Sequence, residues 1–315
     1  LASMLVATLL PGGLSVSDWV ILVCFSMGAP WTLLGLVNAL LGLRLVSMGW
    51  PGILEAAPFL SRLSGGETEK ERPGGSSLAI AMTVRDENID EVAEALEFLC
   101  EDIPRAMARA TPEAASRATS GATSEAAPGM PASIAVFLLS DSTDPETIAR
   151  EKSLAIDLDD RAGGAIAVIY RHREINTDFK AGSIREFLEE HGKDFDLFLP
   201  LDADSWMTGD TILRMRRIME AHPEIGILQS LAIGRTPGSA FTRMFQFGMR
   251  MGMRAFTLGS AWWQGDCGPY WGHNALIRTG PFLEHCALPH NGRAWGPLSQ
   301  PFNKLVPLSR GRVKI

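Results

Sequence analysis

From Trp19 to Leu43 the chain carries no charged residue, and Asp18 and Arg44 close this window of 25 residues at its two ends. As a helix the window would be roughly 37 Å long at ~1.5 Å per residue, enough to cross the hydrocarbon core of a bilayer with some tilt. A soluble domain alone does not account for such a chain, and a transmembrane helix is expected over residues 18–46. Ahead of it, Leu1–Leu10 is already apolar and ends at Pro11-Gly12-Gly13. Residues 1–16 read as the remnant of an earlier membrane helix. A cleaved signal peptide competes with this reading, but no basic n-region precedes the stretch and a full-length span follows within a few residues.

Orientation follows from the positive-inside rule, which counts Lys and Arg near the ends of a span. Residues 1–18 hold neither, whereas Arg44, Arg62, Lys70 and Arg72 lie on the far side. The remainder of the chain, from about Arg44 onward, is therefore expected in the cytoplasm. The cysteines fit a reducing compartment: Cys24 lies within the span, and Cys100, Cys267 and Cys286 show no spacing typical of zinc or of a disulfide framework. They read as buried small hydrophobes.

The 315 residues allow about two domains at ~150 residues each. Past the span, residues 47–77 form a juxtamembrane connector with Pro51, Pro58 and Pro73. Its mixed-charge run from Glu67 to Arg72 sets three acids against two bases, so no basic lipid-binding patch is indicated. At Leu78–Val84 an apolar run meets Arg85-Asp86-Glu87-Asn88 and then a helical pattern at Val92, Leu96 and Leu99. This strand, polar turn and helix open an α/β domain expected to run over residues 78–289.

Residues 104–132 are rich in Ala, Thr, Ser and Pro and read as an exposed insertion loop. Three further strands are predicted at Ile134–Leu139, Ala165–Tyr170 and Phe195–Leu201, with helices at Pro145–Leu158, Ala181–His191 and Gly209–His222. Alternating strands and helices imply a mostly parallel sheet covered on both faces. In such sheets ligands sit beyond the carboxyl ends of the strands, and that is where the acidic clusters fall, in Ser140-Asp141-Ser142-Thr143-Asp144 and Asp202-Ala203-Asp204, while the third strand ends in Arg171-His172-Arg173.

Asp202 and Asp204 project from alternate positions at a strand end. Two carboxylates in one short turn suit a hard cation such as Mg2+ or Mn2+, which in turn suits a diphosphate. An Asp-x-Asp alone is a weak signal, since turn and cap acids look the same; its place directly after an apolar strand strengthens it. Asp144 is equally well a helix cap before Pro145, which leaves Asp141 the better partner for a nucleobase or ribose. Lys180 precedes Ala181-Gly182-Ser183 at a helix start, where charge and backbone N–H groups together can meet a pyrophosphate; the plain alternative is a surface lysine. Further on, Trp262-Trp263-Gln264-Gly265 and Tyr270-Trp271-Gly272-His273-Asn274 interleave aromatic and polar groups as sugar sites do. A membrane-interface belt and a core segment are the competing readings. The stretch Phe241–Leu258 before it, with Arg243, Arg250 and Arg254, suits an interfacial helix.

Taken in order, Arg85-Asp86-Glu87-Asn88, Ser140 to Asp144, Asn176-Thr177-Asp178-Phe179-Lys180-Ala181-Gly182, Leu201 to Ser205, Ala261 to Gly265 and Tyr270 to Ala275 resemble the bacterial glucans biosynthesis glucosyltransferase H family. These are membrane-embedded, inverting glycosyltransferases of the cellulose-synthase-like type. The resemblance covers roughly Leu78 to Pro289 and implies a GT-A-like fold. It also implies transfer of glucose from UDP-glucose to a growing β-glucan acceptor, the backbone of osmoregulated periplasmic glucans. By this resemblance Asp141 would bind uracil with Glu87 nearby, Lys180 would approach the diphosphate, Asp202 would serve ribose or metal, and Asp204 the metal. Trp263, Trp271, Gly272, His273 and Asn274 would line the acceptor side.

After Pro289 the family's pattern ends. Its catalytic base and its Gln-x-x-Arg-Trp acceptor clamp are expected there, yet residues 290–315 contain neither Asp nor Glu, and Gln300 is followed by Pro-Phe-Asn-Lys. Arg293, Lys304, Arg310, Arg312 and Lys314 give this tail +5, which leaves −12 before it within a net charge of −7. A divergent tail from a frame change or a truncated reading frame is expected. Two rival functions follow. One is a catalytically silent nucleotide- or sugar-binding membrane protein. The other is an aspartyl-nucleophile phosphatase, which a strand followed by Asp-x-Asp-Ser also suits, although no acidic pair for its metal appears downstream. A nucleic-acid partner is not expected of an acidic chain without a basic, aromatic-interleaved patch before the tail.

Overall fold

The computed structural model describes residues 2–11, 13–61, 75–110, 134–234, 238–265, 267–268 and 270–286. The expected divergent tail, most of the insertion loop and the charged part of the connector lie outside these residues. The chain forms two compact units. One comprises Leu1–Pro58 with Leu231–Gly265, the other Phe59–Ser230 with Asp266–Ile315.

In the first unit α1 (Ala2–Leu9) precedes α2 (Val16–Ser47) and α3 (Trp50–Ala56), and α8 (Ala240–Gln264) completes it. A capping box starts α2: Ser15 Oγ accepts from the Asp18 N–H at 3.3 Å, and Asp18 Oδ2 accepts from the Ser15 N–H at 2.8 Å. With a mean hydropathy of 2.0 in its best window, α2 has the length and composition to cross a membrane, and that window is 0% buried within the protein. Part of its surface packs on a partner helix and the rest is left uncovered by the protein. Its apolar side chains, Trp31 and Val20 among them, are exposed, while Gly42 closes on the Ala255 backbone of α8.

The second unit is an α/β domain. Its strands are β1 (Leu78–Val84), β2 (Ile134–Ser140), β3 (Ala167–His172), β4 (Leu197–Asp202), β5 (Ile227–Gln229) and β6 (Ala275–Arg278), in the order β3-β2-β1-β4-β6-β5. The four expected strands are present and parallel, with β3 displaced toward its polar end relative to the sequence reading. Two short antiparallel strands, β5 and β6, extend the sheet beyond β4. The result is a mixed six-stranded sheet of GT-A-like type, with helices α4 (Ile89–Ala110), α5 (Pro145–Ala162), α6 (Phe179–His191), α7 (Gly209–Ala221) and α9 (Thr279–His285).

Period-two alternation sorts the strand residues onto two faces. Ala79, Ala81, Ala135, Phe137 and Leu139 bury one face with Phe187 and Leu188 of α6. Phe137 and Phe187 lie 4.7 Å apart between ring centroids. The alternate residues Leu78, Ile80, Met82, Ile134, Val136 and Leu138 are equally buried. A strand hidden on both faces reads as a continuous apolar run, which is why LAIAMTV and IAVFLLS carry no polar alternation.

Three expectations need correction. The helix after β1 continues through Pro104 to Ala110, because Ile103 and Ala106 belong to the buried stripe begun by Val92, Leu96 and Leu99; the loop expected from residue 104 starts no earlier than 111 among the described residues. The connector, read as a solvated stretch, opens with α3 and a short 3-10 turn at Pro58–Leu60, in which Gly52 and Phe59 are buried. Of the cysteines only Cys100 is buried; Cys24, Cys267 and Cys286 are exposed and free, Cys24 because it lies on the uncovered surface of α2.

Candidate functional site

In-register pairing assembles the site. Val84 lies opposite Ser140, Ser140 opposite His172, and Thr83 opposite Asp202. The residues that follow these pairs emerge along one edge of the sheet. The ladder runs on by two more bonds, from the Asp141 N–H to the Val84 carbonyl at 2.9 Å and from the Arg173 N–H to the Ser140 carbonyl at 3.2 Å. Along this edge lies a cleft of about 570 Å³, whose lining includes Glu87, Asp141, Asn176, Lys180, Asp202 and Asp204. All five residues expected on the donor side therefore meet in one place.

Each is held by its local sequence. Asp86 adopts φ +51. Its carboxylate accepts from the Thr143 N–H at 2.8 Å and the Asp144 N–H at 3.3 Å, tying the turn after β1 to the turn after β2. Those two N–H groups hold the Asp86 carboxyl below its usual range. Asp144 caps α5, its carboxylate accepting from the Thr147 N–H at 2.8 Å, so the capping reading is the observed one and Asp141 is left to the cleft.

Asp141 is 7% exposed, and both its oxygens accept from Arg173, Nη2 donating at 2.8 Å and Nε lying against the other oxygen. That carboxylate in turn keeps the Arg173 guanidinium even more firmly protonated than usual. Lys180 lies in the first turn of α6 with its Nζ against Asp202 Oδ1. In the next turn Gly182 lets the Thr177 carbonyl come close, since a Cβ there would fall 1.9 Å from that oxygen. Asp204 is exposed to the cleft and makes no side-chain hydrogen bond or ion pair among the described residues. His273 Nε2 lies 3.9 Å from Asp202 Oδ2, which brings the Tyr-Trp-Gly-His-Asn turn to the donor residues.

That turn is bent sharply, with φ +90 at Gly272 and +54 at Asn274. Gln229 of β5 ties it down: its Nε2 donates to the carbonyls of His273 at 3.0 Å and Asn274 at 3.2 Å, and its Oε1 accepts from the Trp271 N–H at 3.2 Å. Trp271 is 50% exposed and Trp263 60%, so neither serves as a core residue. Trp263 occupies the last turn of α8 in the first unit, whereas Trp271 to Asn274 belong to the second. Arg173, Gln229 and the buried Glu151 escape a reading of the sequence alone; the one available signal was a third polar residue, Arg173, persisting at the end of a strand.

Among the described residues no three His, Cys, Asp or Glu side chains form an all-protein cation cage. Asp202 and Asp204 face one cleft with two hard carboxylates, ligands of the kind that Mg2+ or Mn2+ takes.

No family model matches the chain. A glucans biosynthesis glucosyltransferase H from Rhodopseudomonas palustris (strain TIE-1) is 32% identical over 281 residues, 88% of this chain and 34% of that protein. The chain is a relative of the glucans biosynthesis glucosyltransferase H proteins. Others of that name agree more closely over shorter stretches. The Xanthomonas campestris pv. campestris (strain B100) protein is 40% identical over 153 residues, 49% of this chain and 24% of its own length. The Pseudomonas paraeruginosa (strain DSM 24068 / PA7) protein is 36% identical over 190 residues, 60% of this chain and 21% of its own. The chain thus spans about a third of the length of the first of these glucosyltransferase H proteins.

Proposed function

We propose that this chain is the donor-binding part of a membrane glycosyltransferase that moves glucose from UDP-glucose to a growing β-glucan, with inversion at the anomeric carbon. The observation that carries the reading is the convergence of Asp141, Lys180, Asp202 and Asp204 on one strand-end cleft, in a chain related to proteins named for glucan biosynthesis. Asp141 supplies an acceptor-only group: each oxygen uses one lone pair on Arg173 and keeps another for a base N–H. Lys180 offers a point charge to a diphosphate. Asp202 and Asp204 would hold Mg2+ or Mn2+, which would offset charge on the departing diphosphate. Trp271, Gly272, His273 and Asn274 are assigned to the glucan acceptor. In this reading α2 crosses the bacterial inner membrane in contact with lipid and the α/β unit lies on the cytoplasmic side, a sidedness that the positive charge at Arg44 supports.

Titration calorimetry of the whole chain in detergent tests the reading. Saturable UDP binding that needs Mg2+ or Mn2+ and is abolished by Asp204→Asn is expected, and binding indifferent to a chelator would count against it. Transfer from labelled UDP-glucose to a glucan, assayed on the same preparation, separates a catalyst from a protein that binds the nucleotide only. The distinction matters because no carboxylate lies between Pro289 and Ile315 to serve as base.

A further inference from the structure

The guanidinium of Arg173 is almost wholly buried, its side chain 6% exposed. Beyond the two oxygens of Asp141, Nη1 donates to the Thr177 carbonyl at 2.9 Å and to Glu186 Oε1 at 3.2 Å. Nη2 donates to Asn176 Oδ1 at 2.8 Å and to the Phe179 carbonyl at 2.7 Å. A guanidinium has five N–H bonds. Six acceptors already surround this one, so it has no donor to spare for a ligand in the adjoining cleft.

The segment it grips is bent in a way its residues do not favour. Asp178 has φ +57 and Phe179 φ +50, two consecutive non-glycine residues in the left-handed region. Side chains that are not glycine hold that conformation only under outside constraint. The carbonyls on either side of the bend, those of Thr177 and Phe179, are the two that Arg173 binds. On its far side the Thr177 carbonyl rests against Gly182, where a Cβ would fall 1.9 Å away. The residue after the bend is Lys180, whose amine meets Asp202.

We propose that Arg173 is a positioning residue that joins the two ends of the cleft: it orients Asp141 directly and, through the Thr177–Phe179 bend, sets Lys180 against Asp202 without touching the ligand. The inference rests on the reading of the cleft as a nucleoside-diphosphate site and deepens it. Arg173 thereby governs how much the β-phosphate adds to affinity, although that phosphate would contact Lys180 rather than Arg173.

The test compares UDP with UMP, each titrated with Mg2+ into the whole chain in detergent. Wild type is expected to prefer UDP, and Lys180→Ala to lose that preference. Arg173→Lys keeps a cation beside Asp141 but cannot reach both carbonyls. It should weaken UDP binding by about tenfold or more and shrink the UDP/UMP ratio to that of Lys180→Ala. Combining Arg173→Lys with Lys180→Ala should cost UDP little beyond either change alone. Gly182→Ala presses on the Thr177 carbonyl from the other side while keeping the guanidinium that pairs with Asp141. It should shrink the same ratio while sparing UMP, and it decides the matter if Arg173→Lys loses its near-ultraviolet dichroism. A UDP/UMP ratio kept by Arg173→Lys or by Gly182→Ala, in a protein whose wild type binds UDP, would overturn the positioning role. Wild type that binds neither nucleotide would instead remove the nucleotide-site reading and this inference with it.

Discussion

Glu151 Oε1 accepts a hydrogen bond from Ser142 Oγ at 2.7 Å. Its other oxygen accepts from Ser140 Oγ at 2.6 Å and from the Tyr170 hydroxyl at 3.0 Å, and the residue is 2% exposed. The direction of these bonds is determined by the backbone. Ser142 Oγ already accepts the Asp86 N–H at 2.8 Å and Ser140 Oγ the Ser142 N–H at 3.2 Å, so both serines point their protons at Glu151. Burial pushes the Tyr170 hydroxyl up to about 12, which keeps it a donor across the working range. Glu151→Gln would turn an amide NH2 toward one of these donors and leave two protons in conflict. We expect a loss of about 1–3 kcal/mol, read as a lower denaturation midpoint by near-ultraviolet dichroism. A midpoint equal to wild type would show that the hydroxyls can reverse.

Asp86 predicts an acid dependence. Its folded pKa is depressed by the N–H groups of Thr143 and Asp144. The stability it contributes is thus present above the ordinary carboxylate value of about 3.9 and is lost as pH falls through the lower folded value. Asp86→Asn should flatten unfolding midpoints below about pH 4 relative to wild type while lowering them near neutrality. Equal acid slopes in the two proteins would assign the dependence to other carboxylates.

How much of this was legible depends on distance along the chain. Leu78–Val84 and Ile134–Ser140 announce themselves because strands buried on both faces must be apolar throughout, and a polar run must follow where the chain leaves the sheet. Asp141, Asp202 and Asp204, which line one cleft, stand out in the sequence on that ground. β5 and β6 were missed because Ile227–Gln229 and Ala275–Arg278 are too short to show a period; their strand character comes from pairing with each other and of β6 with β4. The left-handed bend at Asp178 and Phe179 has no glycine to mark it, and its cause, Arg173, is a tertiary contact. Pro104 misled in the opposite sense, since the buried stripe of α4 outweighs the cost of a proline inside the helix.

The contact between α2 and α8 makes a prediction about sign. Alanine for glycine in a helix ordinarily stabilises it by about 1 kcal/mol. At Gly28 of α2 a Cβ would meet nothing within 4 Å, and Gly28→Ala should follow the rule. At Gly42 a Cβ would fall 1.6 Å from the Ala255 carbonyl oxygen, so Gly42→Ala must push the helices apart. A net loss of about 1–3 kcal/mol is expected there, seen as earlier thermal loss of far-ultraviolet dichroism in detergent. Stabilisation by both substitutions would mean that the two helices do not touch at Gly42.

Gln229 stands in β5, yet its side chain serves the turn from Trp271 to Asn274. The Trp271 N–H finds its acceptor in Gln229 Oε1 at 3.2 Å, and the His273 carbonyl its donor in Gln229 Nε2 at 3.0 Å. Asn274 is secured independently, its N–H donating to the Pro200 carbonyl at 3.0 Å and its carbonyl accepting from the Ser230 N–H at 3.1 Å. Gln229→Leu should therefore release the start of the turn and leave its end in place. Hydrogen exchange at the Trp271 amide should quicken by about tenfold, while that at Asn274 stays slow. Because the donor residues stand on other strand ends, UDP affinity should be unchanged, and any loss should appear in transfer to the acceptor. Weakened UDP binding in Gln229→Leu would instead show that His273, 3.9 Å from Asp202, acts on the donor side.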